Sequence, residues 1–216
     1  MYVKPLTKST AQKSFENAFL ALYQEKGLNN FSVTQLISKA HYTRATFYRY
    51  FNNLDEVLAS IELENTCSKP CADIVSNASS IPLEEATDMM ASFFQDRYDV
   101  ISILIKGDHG IDYLEQQRLC MKPMFSALIQ RGYNLTPMQL NFASEYIASA
   151  KIGMLRLWVD SNNKISLNQL NKMAENVFES SIWTHIAEAA NNDAEKLSFP
   201  DPSFEYPWIK KIKQER

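Results

Sequence analysis

Glycine is scarce in this sequence: only five of its 216 residues are glycine. Average usage of about 7% would give roughly fifteen in a chain of this length. Hairpin turns and phosphate-binding loops depend on glycine, because a residue without a side chain permits positive φ angles and close backbone approach. Neither G-x-G-x-x-G nor G-x-x-x-x-G-K-[ST] occurs, which disfavours the main nucleotide-binding α/β folds. The shortage of glycine therefore favours a helical protein.

Long apolar runs are missing as well. No stretch of 18 apolar residues is present, and the first residues, MYVKPLTKST, lack the apolar centre of a secretory signal. We therefore expect a cytoplasmic protein without a membrane partner. The three cysteines are Cys67, Cys71 and Cys120. Three residues separate the first two, whereas C-x-x-C has two, so free thiols at a junction between helices are favoured over a redox or metal site.

The residue patterns of catalytic and metal sites are also missing. The three histidines lie far apart in the sequence without carboxylates at ligand spacing, and no G-x-S-x-G motif provides a nucleophile. We expect no catalytic residues, no metal and no cofactor, and hence a protein that is not an enzyme.

Charge is distributed unevenly along the chain. The formal net charge is −3, yet residues 1–60 hold seven Lys and Arg against four Asp and Glu, a local charge of +3. The remaining residues therefore sum to −6. A basic N-terminal segment on an acidic remainder is typical of a protein that binds a polyanion, although chance is an alternative.

Capping residues and apolar spacing predict two helices at the start of the chain. The first should begin at residues 9–10 and end at Gly27 in a left-handed conformation. Ser32 with Gln35 forms a capping box for a second helix of about eight residues, which ends at His41.

Two further helices follow closely. Thr43 is placed as the N-cap of a third helix, on which Phe47 and Phe51 face inward at i, i+4 spacing. Asn53 is placed as the N-cap of a fourth.

The rest of the chain is predicted to be helical, without strands. The segment 66–82 is rich in Ser, Cys, Asn and Pro and is interpreted as the break between an N-terminal head and a C-terminal body. Helices are predicted over 83–105 with an interruption near 96–99, 111–130 with a kink or break at Pro123, 137 to about 160, and 167 to about 191. The end of the chain should be extended.

The second and third predicted helices form a helix-turn-helix pattern. Arg44 and Arg49 can neutralise phosphates or bind guanine, and the small Ala45 keeps that face clear for the major groove. Four hydroxyl side chains can donate to phosphate oxygens: Thr43, Thr46, Tyr48 and Tyr50. A helical hairpin with a merely solvated polar face is the alternative.

The segment 43–58, TRATFYRYFNNLDEVL, closely resembles the TetR family of bacterial transcriptional regulators. The signature of that family reads roughly T-[FIL]-Y-x-[HY]-F-x-x-K-x-x-L at this distance from the N-terminus, and the match covers residues 9–63. The resemblance implies an all-helical homodimer. Each chain would have an N-terminal DNA-binding domain and a C-terminal domain for ligand binding and dimerisation.

The resemblance also implies roles for single residues. Three positions match those that usually grip the DNA backbone: Thr46, Tyr48 and Tyr50. Arg44 and Arg49 match variable positions that often read bases, and Thr34 matches a position that can reach a base. His41 stands where relatives often have glycine, so a strained left-handed residue is expected there. Leu54 replaces a common phosphate-binding lysine, which removes one charge contact.

We predict three segments: a helix-turn-helix DNA-binding domain at 1–63 with the start of a connecting helix, a helical effector-binding and dimerisation domain at 64–198, and an extended tail at 199–216. Soft and aromatic side chains of the central helices form either a packed core or an effector pocket. The pocket candidates are Phe93, Phe94, Met121, Met124, Phe125, Tyr146 and Trp158. The last two could instead serve the dimer interface.

The segments 153–159 and 166–170 resemble a C-terminal domain type common among low-GC Gram-positive members of the family. That type includes regulators of dihydroxyacetone metabolism that act with partner proteins, so the effector is either a small molecule or a protein.

The functional hypothesis is a homodimeric repressor on a near-palindromic double-stranded DNA operator, released by an effector, with helices 137–160 and 167–191 forming a four-helix dimer bundle. The alternative is an adaptor with weak DNA binding that acts through a protein partner.

Overall fold

The computed structural model describes residues 8–162 and 164–174, and every regular element within that part is a helix. Ten α-helices follow one another there: α1 (Thr10–Lys26), α2 (Val33–Ala40), α3 (Arg44–Tyr48), α4 (Leu54–Glu64), α5 (Ser68–Ser76), α6 (Leu83–Gln95), α7 (Tyr98–Lys106), α8 (Gly110–Gly132), α9 (Pro137–Asp160) and α10 (Leu167–Ala174). A short 3-10 helix, Leu28–Asn30, lies in the connection between α1 and α2. The predicted all-helical class is confirmed.

The predicted helix starts are confirmed by the caps. Each of the following side chains accepts a hydrogen bond from the backbone N–H three residues on: Ser9, Ser32, Thr43, Asn53 and Thr136. The Ser166–Gln169 capping box at the start of α10 is also present. Such caps satisfy backbone donors that the first turn of a helix leaves unpaired.

Aromatic side chains pack α3 and the residues that follow it against α1. Phe15 of α1 is fully buried, with its ring centroid 5.3 Å from that of Phe47 and 6.4 Å from that of Phe51. Both pairs meet edge to face, the arrangement that aromatic quadrupoles favour. Because Phe47 is the buried residue of α3, this contact fixes α3 against α1 and leaves the opposite side of α3 in solvent.

Gly27 departs from the prediction in detail. Its φ of 78° is positive as expected, but its ψ of 161° lies in the extended range and not in the left-handed helical region. That combination is essentially restricted to glycine. The backbone therefore leaves α1 in an extended direction.

The predicted break over 66–82 is wrong, because α5 occupies much of this segment and packs along α8. Its buried residues are Cys71 and Ile74, with Cys67 buried at the N-cap. Buried cysteine behaves as a small apolar side chain, so the thiols supply the inward face that the composition seemed to lack. Pro70 lies in the first turn, where a proline breaks no helical hydrogen bond.

The central helices are interrupted between α6 and α7 but not at Pro123. The predicted interruption near 96–99 is confirmed, since α6 ends at Gln95 and α7 begins at Tyr98. The predicted break at Pro123 is absent, and α8 runs through it as one helix. Helices α5, α7 and α9 all pack on α8, so tertiary contacts support both sides of the proline.

Helices α8 and α9 form the centre of the body, and α6 and α10 close one side of it. Most buried apolar side chains form one contiguous cluster from Ala11 in α1 to Leu170 in α10, so the N-terminal helices pack directly on the body. A second, smaller cluster between α8 and α9 consists of Ile129, Ala143 and Ile147. No helix among the described residues has the length and apolarity needed to cross a membrane. The predicted helix end near 191, the predicted tail 199–216 and His185 lie outside the described residues.

Candidate nucleic-acid interface

The turn between α2 and α3 sets the direction of α3. His41 ends α2 at φ 58° and ψ 37°, in the left-handed region, which confirms the strained geometry expected from the sequence. Thr43 then caps α3: its hydroxyl oxygen accepts from the Thr46 N–H at 3.2 Å and lies 2.9 Å from the Thr46 hydroxyl. The two hydroxyls are thus held side by side at the start of α3.

Each predicted recognition arginine lies against a tyrosine. The Arg44 guanidinium donates to the Tyr48 hydroxyl at 3.4 Å and sits 5.5 Å from that ring's centroid. The Arg49 guanidinium likewise donates to the Tyr50 hydroxyl at 3.3 Å and lies 4.9 Å from the centroid of that ring. Among the described residues, no carboxylate lies within ion-pair distance of either guanidinium. Both charges are therefore free of an internal counter-ion and remain available to an external anion.

The predicted contact residues share one exposed surface. Six of them are exposed: Thr34, Thr43, Arg44, Ala45, Tyr48 and Arg49. Thr46 and Tyr50 are half-buried. A hydrogen bond with Ser9, and to a smaller extent the positive charge of Arg49, lowers the pKa of Tyr50. Tyr50 thereby ties the end of the recognition segment to the start of α1.

One cation of the basic head is not part of this surface. The Lys8 ammonium lies 2.6 Å from the carboxylates of both Glu16 and Glu64, and Ser60 donates to the same Glu16 oxygen at 2.7 Å. Glu16 is buried. Lys8 therefore neutralises an internal acid, and the positive charge available to a ligand is concentrated on the exposed lysines and on the two arginines of α3.

The arrangement has the dimensions for duplex DNA. A major groove about 12 Å wide admits one helix, and α3 presents a small residue, Ala45, between arginine and threonine side chains on its open side. Guanidinium groups and hydroxyls are the usual donors to phosphate oxygens and base edges.

Residues 17–61 match the family model described as bacterial regulatory proteins, tetR family. This N-terminal segment of the chain is thus similar to that family. The matched segment runs from α1 through most of α4 and includes the whole surface described above. No curated protein matches the sequence.

Several solved structures share the fold over most of the length of this chain. NalD of Pseudomonas aeruginosa, described as the secondary repressor of the MexAB-OprM multidrug efflux pump, has a TM-score of 0.62 at 17% identity, covering 78% of this chain and 95% of its own. The dihydroxyacetone kinase operon activator DhaS has a TM-score of 0.58 at 19% identity, and the match covers 81% of this chain and 97% of DhaS. A SmeT–triclosan complex has a TM-score of 0.60 at 16% identity, and the match covers 91% of this chain and 100% of the SmeT chain. The chain therefore shares the fold of these proteins over most of its length, and its N-terminal segment matches the tetR family model.

A cavity of about 60 Å³ lies between α6, α8, α9 and α10. Four of the seven residues predicted for an effector pocket line it: Phe94, Met121, Met124 and Phe125. Its polar lining includes Lys151 and Asn171, whose ammonium and amide oxygen are 3.4 Å apart. The sequence did not indicate these two, because they come from helices that only the tertiary packing brings together.

The other three predicted pocket residues lie elsewhere. Phe93 points to a shallow surface groove, where its ring stacks with the Arg97 guanidinium at 4.3 Å. Trp158 is fully buried, with its ring 4.8 Å from that of Tyr98. Tyr146 is exposed on α9. Apolar spacing marks buried helix faces but does not tell a cavity wall from solid core, which accounts for this difference.

A contact between the end of α1 and the turn before α8 joins the N-terminal helices to the body. The Asp108 carboxylate accepts from the Leu28 N–H at 2.8 Å, and the His109 N–H donates to the Tyr23 hydroxyl at 3.2 Å. Gly107 lies so close to this ring that a Cβ atom there would be 2.3 Å from the Tyr23 oxygen. We refer to these residues, with Gly107, as the head–body joint.

Proposed function

We propose that this protein is a homodimeric transcriptional repressor that binds a near-palindromic DNA operator through α3 and leaves it when an effector binds the body. The observation that carries the proposal is the exposed surface of α3 and of Arg49 after it. Each of the two guanidinium groups there lies against a tyrosine and has no carboxylate of the described residues within ion-pair distance. In a dimer, two such helices would enter successive major grooves. Residues 1–63 would form the DNA-binding domain and 64–198 the effector-binding and dimerisation domain.

The exposed face of α9 supports dimerisation. Large apolar side chains there are about half or more exposed in the single chain, with the small Ala150 and Gly153 between them. The stripe, called here the α9 stripe, consists of Met138, Phe142, Tyr146, Ala150, Gly153 and Leu157. Its spacing of three or four residues places it along one side of a helix. A contiguous apolar surface of this kind is typical of a protein interface, and small residues allow helices to approach closely.

The joint supplies a path from the cavity to DNA. Helix α6 forms one wall of the cavity, α7 follows it, and the turn after α7 holds the end of α1 through Asp108 and Tyr23. An effector that favours a body conformation with wider-spaced DNA-binding domains would release the operator by population shift. The name of the SmeT–triclosan complex shows that one protein of this fold holds a small apolar molecule.

The proposal is tested by selecting bound sequences from random duplex DNA and measuring affinity for the selected site by fluorescence anisotropy. We expect a near-palindromic consensus, and a logarithm of the affinity that falls linearly with the logarithm of the salt concentration. Arg44→Ala should weaken binding by about 1–3 kcal/mol, that is about five- to a hundredfold, because it removes a base or phosphate contact.

Lys13→Ala is the matched control. It also removes one positive charge from an exposed residue of the DNA-binding domain, but Lys13 lines a groove between α1, α4 and the α6–α7 region. We expect at most a small loss of affinity for this variant. Equal losses for the two variants would show only a general charge effect, and failure to enrich any sequence would refute the proposal.

A second candidate is the adaptor that acts through a protein partner. The small cavity favours it, since ligand pockets usually enclose about 300–1,000 Å³ and a protein effector needs no cavity. Weak binding of the isolated protein to the selected DNA, restored by a partner co-purified from the source cells, would select this function over release by a small molecule.

A further inference from the structure

The three cysteines of the chain lie together in the body. The Cys71 thiol of α5 lies 3.7 Å from the sulfur of Cys67, the N-cap residue of that helix. The Cys67 sulfur lies 3.7 Å from the backbone oxygen of Gln117 in α8, one turn before Cys120. Cys120 also lies 3.5 Å from the Thr66 hydroxyl. All three are free thiols. The sequence spacing of Cys67 and Cys71 gave no hint of this, because the third thiol comes from a helix some fifty residues away and only the packing of α5 on α8 supplies it.

The environments of the three thiols differ. Cys67 and Cys71 are buried, whereas Cys120 is only half-buried. The hydrogen bond with Cys67 lowers the pKa of Cys120 to about 6, with a smaller contribution from the Thr66 hydroxyl. Hydrogen bonds with Cys120 and Cys71, together with burial, raise the pKa of Cys67. Cys120 is therefore the most accessible of the three thiols, and its Thr66 contact and lowered pKa favour the reactive thiolate there, whereas the buried Cys67 favours the protonated thiol.

A buried amide next to the thiols is incompletely hydrogen-bonded. The Gln117 side-chain oxygen accepts from the Cys67 N–H at 2.8 Å, so this amide belongs to the same cluster. Its nitrogen is buried and has no hydrogen-bond acceptor among the described residues. A buried donor without an acceptor is unfavourable, and the oxygen of an oxidised cysteine is an acceptor of the required kind.

A metal site does not explain the cluster. Within the described residues, no group of three or more His, Cys, Asp and Glu side chains is arranged to hold a metal ion. The combination of one accessible thiolate and one adjacent protonated thiol is instead typical of cysteines that react with peroxides.

We propose that Cys67 and Cys120 form an oxidation site for hydroperoxides, in which Cys120 reacts first and Cys67 closes a disulfide between the start of α5 and α8. The Cys120 sulfur attacks one peroxide oxygen and the O–O bond breaks. The departing hydroxide takes a proton from solvent, which leaves Cys120 as a sulfenic acid. The Cys67 sulfur then attacks the Cys120 sulfur, the S–O bond breaks, and the hydroxyl leaves as water with the Cys67 proton. The two thiols thus supply the two electrons that reduce the peroxide to two molecules of water.

The test treats the full-length protein with one equivalent of hydrogen peroxide, blocks the remaining thiols with N-ethylmaleimide and digests it with trypsin without reduction. Trypsin does not cut Lys–Pro bonds, so Cys67 and Cys71 stay together in the peptide 50–97 and Cys120 lies in the peptide 119–131. We expect a disulfide between these two peptides and loss of two of the three thiols. A bridge confined to 50–97, or Cys120 oxidised without a bridge, would overturn the proposal.

Two variants identify the reacting cysteines. Cys120→Ser should lose no thiol under these conditions, because the thiolate that attacks the peroxide is gone. Cys71→Ala is the matched control and should form the same cross-linked peptide pair as the original protein. Loss of the cross-link in Cys71→Ala, or unchanged thiol loss in Cys120→Ser, would contradict the assignment. Because the readout is the peptide map, the result does not depend on the proposed DNA binding.

Discussion

His41 is the residue at which the backbone changes direction between α2 and α3. Its N–H donates back to the carbonyls of Ile37 and Ser38, and its left-handed φ and ψ let α3 begin within three residues of the end of α2. A side chain in this region costs about 1 kcal/mol or more relative to glycine, because Cβ crowds the backbone. The orientation of the recognition helix is thus maintained at a local conformational cost.

Replacement of this residue should therefore stabilise the protein. We expect His41→Gly to raise the free energy of unfolding by up to about 1 kcal/mol, partly offset by the greater freedom of glycine in the unfolded chain. The measurement is urea denaturation followed by circular dichroism. Ser38→Gly, at an exposed site within α2, is the control and should lower the free energy by about 0.5–1 kcal/mol. A loss of stability in both variants would be inconsistent with strain at His41.

The exposed positions of Arg44 and Arg49 were predictable from the sequence, but their side-chain contacts were not. Their position on an exposed helix followed from the capping and apolar pattern of the sequence, since both are local. Their stacking with Tyr48 and Tyr50 depends on side-chain rotamers, and so do the ion pairs of Lys8 with Glu16 and Glu64. These contacts were not predictable from spacing.

At the scale of elements, the turn between α7 and α8 has a specific task. Gly110 begins α8 so close to the preceding helix that a Cβ atom would lie 2.0 Å from the Ile105 carbonyl oxygen. Gly107 faces the Tyr23 ring, and Gly27 faces Asp108 across the same contact. Three of the five glycines therefore lie at or beside the head–body joint, where backbones approach closely.

Removal of the joint carboxylate should loosen the DNA-binding domain. We expect Asp108→Ala to destabilise the protein by roughly 1–3 kcal/mol, because the Leu28 N–H loses its charged acceptor. Amide hydrogen exchange of Leu28 should become faster. Asp99→Ala, which removes an exposed carboxylate from the first turn of α7, serves as the control and should leave that exchange unchanged. Unchanged exchange at Leu28 in Asp108→Ala would mean that the joint does not restrain α1.

Helix α5 is the element that sequence reasoning missed. Composition rich in Ser, Asn and Pro usually indicates a connection, and nine residues give too short a pattern to overrule it. Its helix forms because α8 and α6 cover Cys71 and Ile74, so tertiary burial prevails over weak local propensity.

At the scale of the whole molecule, one apolar core connects the DNA-binding domain with the body, whereas the α9 stripe remains open in the single chain. Gly153 is in the middle of this stripe, and a Cβ atom there would meet no heavy atom of the described residues within 4 Å. A large side chain at this position would therefore fit a single chain but obstruct a close approach of a second one.

We expect Gly153→Arg to turn a dimer into a folded monomer at micromolar concentration, measured by light scattering. Gly132→Arg, at the end of α8, introduces the same side chain into equally open space and should stay dimeric. Circular dichroism shows whether both variants keep their helices. Unchanged dimer mass in Gly153→Arg would remove the α9 stripe from the interface.

The sequence by itself determined the helical class and most helix starts, because capping and apolar periodicity are local properties of the chain. The TRATFYRYF segment, equally local, supplied the prediction of the recognition surface. The scarcity of glycine indicated few tight turns, and the turns that do use glycine prove to be sites of close contact between helices. Only the tertiary structure decided which side chains meet. It placed four of the seven predicted pocket residues at one cavity and three elsewhere. It also brought Leu28 to Asp108, eighty residues later in the chain, and the three thiols to one another. Such meetings depend on helix packing between distant segments, and spacing along one helix carries no information about them.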